Sequence, residues 1–179
     1  MMRLVSYMGW SNALQDPMGI WFMKKPKIAQ TSLDASIEEL AGRTGHRILA
    51  IWAADCADRA LPFFEERYPD DDRPRKAIEA LRAWIETGVF RMADVRTASL
   101  AAHAAARDVE YDNAARSAAR SAGQAVATAH VARHALAAAL YAATSVRDAS
   151  HPSDADAATL HEREWQYRHL LALLGLKAS

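Results

Sequence analysis

The chain has 179 residues with Lys plus Arg and Asp plus Glu at 22 each, so no net charge steers it toward nucleic acid or an acidic membrane surface. Hydrophobic residues make up 51% by the broad count, and much of that share is alanine, which favours helices in close contact over a large greasy core. The single cysteine, Cys56, excludes an intramolecular disulfide framework, and no uninterrupted apolar run reaches the roughly 20 residues that span a bilayer.

The length suits one domain with a real core. Asn12, Gln15 and Asp16 break any signal-peptide core near the N-terminus, so a cytoplasmic location is the expectation. Residues 1–30 show no sustained period and read as an irregular arm or extension, with residues 31–179 as an all-helical domain. Met23-Lys24-Lys25-Pro26 has the look of a natural start, which would make the first 22 residues an upstream extension. The aromatics Trp10, Trp21 and Phe22 are either part of a poorly packed arm or dock on the body or on a neighbouring copy in a homodimer.

Thr31 or Ser32 is expected to cap a short helix from Leu33 to Leu40, stopped by Gly42 and Gly45. A second helix starts near His46, with Leu49, Trp52, Ala53, Cys56 and Ala60 as its buried stripe. Asp55 and Arg59 lie four apart, the spacing of a helical ion pair. Pro62 forces a break, after which Phe63, Phe64 and Tyr68 form an apolar knot closed by Pro69. Asp70, Asp71 and Asp72 offer N-caps to a third helix, and Pro74 fits its first turn. There Ala77, Ile78, Leu81, Trp84 and Ile85 share the inner face, while Lys76, Glu79, Arg82 and Glu86 share the outer one. Gly88 ends the helix.

An alanine-dominated helix follows from Ala93 to Val109. Asp112 can cap the next stretch, whose helical propensity continues to about Ala149 with Gly123 as its one break or kink. The segment AVATAHVARHALAAALYAATSV is small or apolar nearly all round, the mark of a central buried helix. After a loop at Ser150, Pro152 and Ser153, Asp154 or Asp156 caps a last helix to about Leu174, with Leu160, Tyr167, Leu170, Leu171 and Leu174 on one face. No stretch alternates like a strand, so the expected architecture is all-α: a single compact bundle of six to eight helices with alanine-rich central helices.

Candidate chemistry is sparse. His130 and His134 fall at i and i+4, the spacing of paired metal ligands, with His103, Asp55 or Cys56 available as a third. The intervening Val-Ala-Arg lacks the glutamate of a zinc protease, so hydrogen-bonded structural imidazoles are the simpler expectation and no metal is assigned. A small helical metal protein or enzyme using His103, His130 and His134 is the alternative reading. Cys56 sits on the apolar stripe and is expected to be a packing residue rather than a nucleophile. The scattered glycines form neither a phosphate loop nor a dinucleotide fingerprint, and no cofactor is called for. The run Asp70-Asp71-Asp72-Arg73-Pro74-Arg75-Lys76 is either a charged docking surface or an internal clasp in which Arg73 or Arg75 folds back on Asp55 or Glu65.

Taken together, WAADCADRALPFFEERYPDDDRPRKAIEALRAW, AAHAAAR, AARSAARSAGQAVATAHVARHALAAALYA and EWQ, in that order, resemble the immunity proteins of bacterial polymorphic toxin systems over about residues 44–168. The residues that match the polar motif positions are Asp55, Cys56, Asp72, Arg73, Pro74, Arg75, His103, Arg107, His130 and His134. The resemblance implies an all-helical, non-catalytic protein whose partner is a cognate protein toxin, blocked by stoichiometric occlusion. Asp70, Asp71, Asp72, Arg73 and Arg75 are the partner-binding candidates, with Arg59 joining the polar set.

Overall fold

Alanine on facing helices sets the architecture. The computed structural model describes residues 28–111 and 113–176, which form helices joined by short turns, with no strand among them. In order these are α1 (Asp34–Gly42), α2 (His46–Ala60), α3 (Pro62–Glu65), α4 (Arg73–Thr87), α5 (Met92–Asp108), α6 (Asn113–Ala127), α7 (His134–Ala149) and α8 (Ala155–Leu173). None of the described helices is long and apolar enough to cross a membrane. The all-α bundle expected from the sequence is what forms. The aromatic-rich part of the expected arm, and the cap at Asp112, lie outside the described residues. Ala29 is already docked, its buried N–H donating to Thr144 Oγ1 of α7 at 3.0 Å.

Helices α6 and α7 pack most extensively against each other, and both present alanine at the contact. The small side chains let one backbone approach the other. Ser121 donates its hydroxyl to the Ala138 carbonyl at 2.8 Å, and Ser145 donates to that of Ala114 at 2.8 Å. Around this pair α2, α3 and α4 add the larger apolar groups: Trp52, Phe64, Ile78 and Leu81 are all fully or almost fully buried.

Three local expectations change. First, α6 and α7 are separate helices, because the chain leaves helical geometry at Thr128 rather than at Gly123. The Thr128 N–H is shared between the Gln124 and Ala125 carbonyls, and His46 Nε2 donates to the Thr128 carbonyl at 2.5 Å, diverting it from helix continuation. Gly123 stays helical because its missing side chain makes room for the His103 ring, which lies 3.0 Å from where a Cβ would stand. Second, the N-caps differ: the side chains of Leu33, Asp72 and Asp154 at the caps of α1, α4 and α8 make no capping bond. At α4 Asp71 serves instead, accepting the Arg73 N–H at 3.2 Å. Third, the inner face of α8 is polar. Thr159, Glu162, Arg163 and Gln166 are buried beside Leu170 and Leu171, while Leu160 is exposed.

Candidate functional site

The polar face of α8 joins a seam that runs across three other helices. Arg163, almost fully buried, donates through Nε and Nη2 to Asp34 Oδ1 of α1 at 3.1 and 2.9 Å, and through Nη1 to Gln166 Oε1 at 2.7 Å. Gln166 Nε2 donates to Glu162 Oε1 and to the Ala139 carbonyl, both at 3.1 Å. Glu162 in turn accepts from both Nε and Nη2 of Arg59 of α2, the shortest bond at 2.9 Å. Arg59 therefore pairs with Glu162 across the bundle and not with Asp55 along its own helix. Its guanidinium also lies 3.9 Å from the Trp165 ring, on which His169 stacks at 4.8 Å.

Asp55 has other partners. It accepts from His169 Nε2 at 2.6 Å and from Arg82 Nη2 at 2.9 Å, and Arg82 also bonds Asp58. Burial pulls the Arg82 pKa down, but the hydrogen bonds to Asp58 and Asp55 outweigh it and the guanidinium is held more firmly charged than usual. Sequence spacing placed Arg82 on a solvated face; it instead closes the seam between α4 and α2. Cys56 is completely buried beneath this network, and burial, reinforced by the nearby Glu162, raises its thiol well above the ordinary value. Such a group packs; it lacks both the access and the thiolate character of a nucleophile.

The charged turn between α3 and α4 is tied down at every cation. Arg73 donates to Asp71 at 2.8 and 2.6 Å and to Asp108, at the end of α5, at 2.7 Å. Arg75 pairs with Glu65 at 2.5 Å and Lys76 with Asp72 at 2.8 Å. The hydrogen bond from Arg73 lowers the Asp71 carboxyl below its ordinary range, and the bonds it donates to Asp71 and Asp108 raise the Arg73 guanidinium. Phe64 stacks on Tyr68 at 5.1 Å beneath the turn, as the apolar knot requires. Asp70 is exposed and has no ion pair among the described residues.

The histidines do not sit on one helix. His130 lies in the turn after α6, its ring stacked on Phe90 at 6.2 Å, while His134 opens α7 and donates from Nδ1 to Gln124 Oε1 at 2.6 Å. His103, on α5, packs over Gly123. Burial, then the Arg120 and Arg107 charges and His134, lower the His103 pKa; burial, then His130 and Arg133, lower that of His134. Arg107 therefore acts on His103 as a neighbouring charge. Among the described residues no group of three or more His, Cys, Asp or Glu side chains is gathered as a metal site. The i, i+4 argument for paired ligands falls with the helix break at Thr128.

Sequence periodicity missed the α8 seam, since burial of Glu162, Arg163 and Gln166 violates the apolar pattern. The usable signal was the arrangement of Arg59 and Asp34 as countercharges on other helices, which no local spacing reveals. Comparison with curated proteins gave no match, and comparison with solved structures gave none. Residues 39–173, from within α1 to the last residue of α8, match the family described as Imm-5 like putative immunity protein. With the match covering most of the chain, from the second half of α1 through α8, this protein belongs to the family described as Imm-5 like putative immunity protein.

Proposed function

We propose that the chain binds a cognate toxin of a bacterial polymorphic toxin system in the cytoplasm and blocks it by stoichiometric occlusion, without catalysis. The family match over residues 39–173 carries this reading. The chemistry of the polar groups supports it: the buried carboxylates, guanidiniums and amide of the α8 seam bond to one another, as structural groups do. Of the two roles open to the charged turn, docking edge or clasp, its internal ion pairs support the clasp. Asp70 is then the group of that turn left to meet a partner.

The test is a calorimetric titration of the purified chain against the purified toxin domains of the polymorphic toxins of its source cell, with toxicity followed in parallel. Occlusion gives one chain per toxin at equivalence, and toxicity disappears only when the chain reaches that ratio. Loss of toxicity at a small fraction of an equivalent, deepening with incubation time, would replace occlusion with turnover.

A further inference from the structure

One end of the bundle is built unlike the rest. Val89, Phe90, Met92, Leu100 and Val131 account for five of the eight exposed large apolar side chains among the described residues, so exposed apolar surface is concentrated rather than scattered. The first three belong to the α4–α5 loop and the first residue of α5. Leu100 follows Met92 and Arg96 along α5 at four-residue steps, the spacing that keeps side chains on a common side. Val131 comes from the α6–α7 turn, which the stacking of His130 on Phe90 brings against the loop. Beside Val89, between α4 and α5, Trp84, Thr87, Arg91, Asp94 and Val95 line a groove of about 300 Å³. The fold does not need this exposure: Gly88, left-handed at φ 68°, has already ended α4 and bonded its last turn through the Trp84 carbonyl.

The arginines at this end are left to solvent. Arg59, Arg73, Arg75, Arg82 and Arg163 each have a carboxylate partner within the bundle. Arg91, Arg96 and Arg133, all exposed around the ridge, have no ion pair among the described residues, although Asp94 lies on α5 with Arg96. Arg47 is likewise unpaired, and its neighbour His46 stacks on Trp84 at 5.2 Å. Helices α2, α5 and α7 all begin here, adding the positive ends of their dipoles, against the C-termini of α4 and α6.

Building on the toxin-binding reading above, we propose that this ridge is the docking face, and that it receives an apolar protrusion with an acidic border on the cognate toxin. An apolar centre with a cationic rim has the layout of a protein interface, in which desolvated anchors provide affinity and the surrounding charges provide steering and register. Phe90 is held in place by His130, which lowers the ordering cost of using it as an anchor. A two-fold contact between copies of this chain would bring the same cationic rim from both copies into one interface with no acidic counterpart, an arrangement like charges disfavour. A phosphate backbone would satisfy the arginines but leave the apolar centre uncovered.

The experiment compares wild type, Phe90→Asp with Met92→Asp, and Arg91→Glu with Arg96→Glu, all as full chains, against the purified toxin domains of the polymorphic toxins of the source cell. The first pair should weaken binding about 100-fold or more, and the second should chiefly slow association, both with unchanged circular dichroism and melting temperature. Wild-type affinity in the Phe90/Met92 variant overturns the docking face while leaving toxin binding intact. Failure of the wild type to bind overturns toxin binding itself, and this assignment with it. A dimer in gel filtration that the Phe90/Met92 variant dissociates would make the ridge a self-interface. Retention of a labelled RNA or DNA duplex, lost in the arginine variant, would make it a nucleic-acid site; either result overturns the proposal.

Discussion

Trp52 of α2 donates its indole N–H to the main-chain carbonyl of Gln166 across 2.8 Å, and the side chain of that same Gln166 holds Glu162, Arg163 and the Ala139 carbonyl. Helices α2, α7 and α8 therefore meet at one residue. Neither Trp52 nor Gln166 has any solvent exposure, so the indole N–H depends on that carbonyl for its partner.

Trp52→Ala should accordingly cost about 3–5 kcal/mol, as complete burial of a large ring implies. Trp84, which the sequence placed on the inner face of α4, is only partly buried and stacks on His46. Trp84→Ala should cost roughly half as much, in proportion to the apolar area removed from water. Urea denaturation of the two variants decides the order; a larger loss at Trp84 would contradict it.

Asp34 is the carboxylate that neutralises the buried Arg163, and it is fixed in turn by Thr31, whose N–H and hydroxyl both donate to it at 3.1 Å. Asp34→Ala strips a buried guanidinium of its countercharge and should cost about 3 kcal/mol. The double variant Asp34→Leu with Arg163→Met removes both charges together and should recover most of that loss. A double variant less stable than the single one would show that the pair contributes more than mutual neutralisation.

At Gly123 two effects oppose each other. Alanine improves helix propensity by about 1 kcal/mol, but its Cβ would stand 3.0 Å from the His103 ring. In the wild-type background Gly123→Ala should be neutral or slightly destabilising. With His103→Ala already present it should stabilise by about 1 kcal/mol, and thermal melts of the four proteins close the cycle.

These cases show what was legible. The core of α2 and α4, the break at Pro62 and the stop at Gly88 follow from periodicity and backbone chemistry, which act over a few residues. The break at Thr128 is set by His46, 82 positions away, and the burial of Arg163 by Asp34, 129 positions away. Local spacing contains neither. It also paired Asp55 with Arg59, whereas each found a better-placed partner on another helix.

Acid should destabilise the protein in two separate windows. His103 and His134 have pKa values held below the ordinary 6.5, chiefly by burial. As pH falls beneath 6.5 the unfolded chain takes up protons that the folded one refuses, so stability declines there. The lowered carboxyl of Asp71 acts in the opposite sense of charge: its contribution is present above its ordinary 3.8 and is lost as pH falls further. The melting temperature should therefore drop between about pH 6.5 and 5 in the wild type. The combined His103→Gln and His134→Gln variant should flatten that interval without removing the fall at lower pH.

The charged turn offers the last prediction. Arg73 bridges Asp71 and Asp108, tying the start of α4 to the end of α5, and Arg75 ties α4 to Glu65 of α3. Both arginines remain partly exposed, and such pairs contribute little, so Arg73→Ala and Arg75→Ala should each cost under about 1 kcal/mol. Asp71 is part of that bridge, which makes reversal at Asp71 a test of the clasp as much as of docking. Asp70 alone is free of it among the described residues. Asp70→Lys should leave both melting temperature and toxin affinity unchanged if the partner docks at the opposite end of the α4–α5 hairpin, around Phe90. A tenfold weaker complex at unchanged melting temperature would instead move the docking edge to this turn.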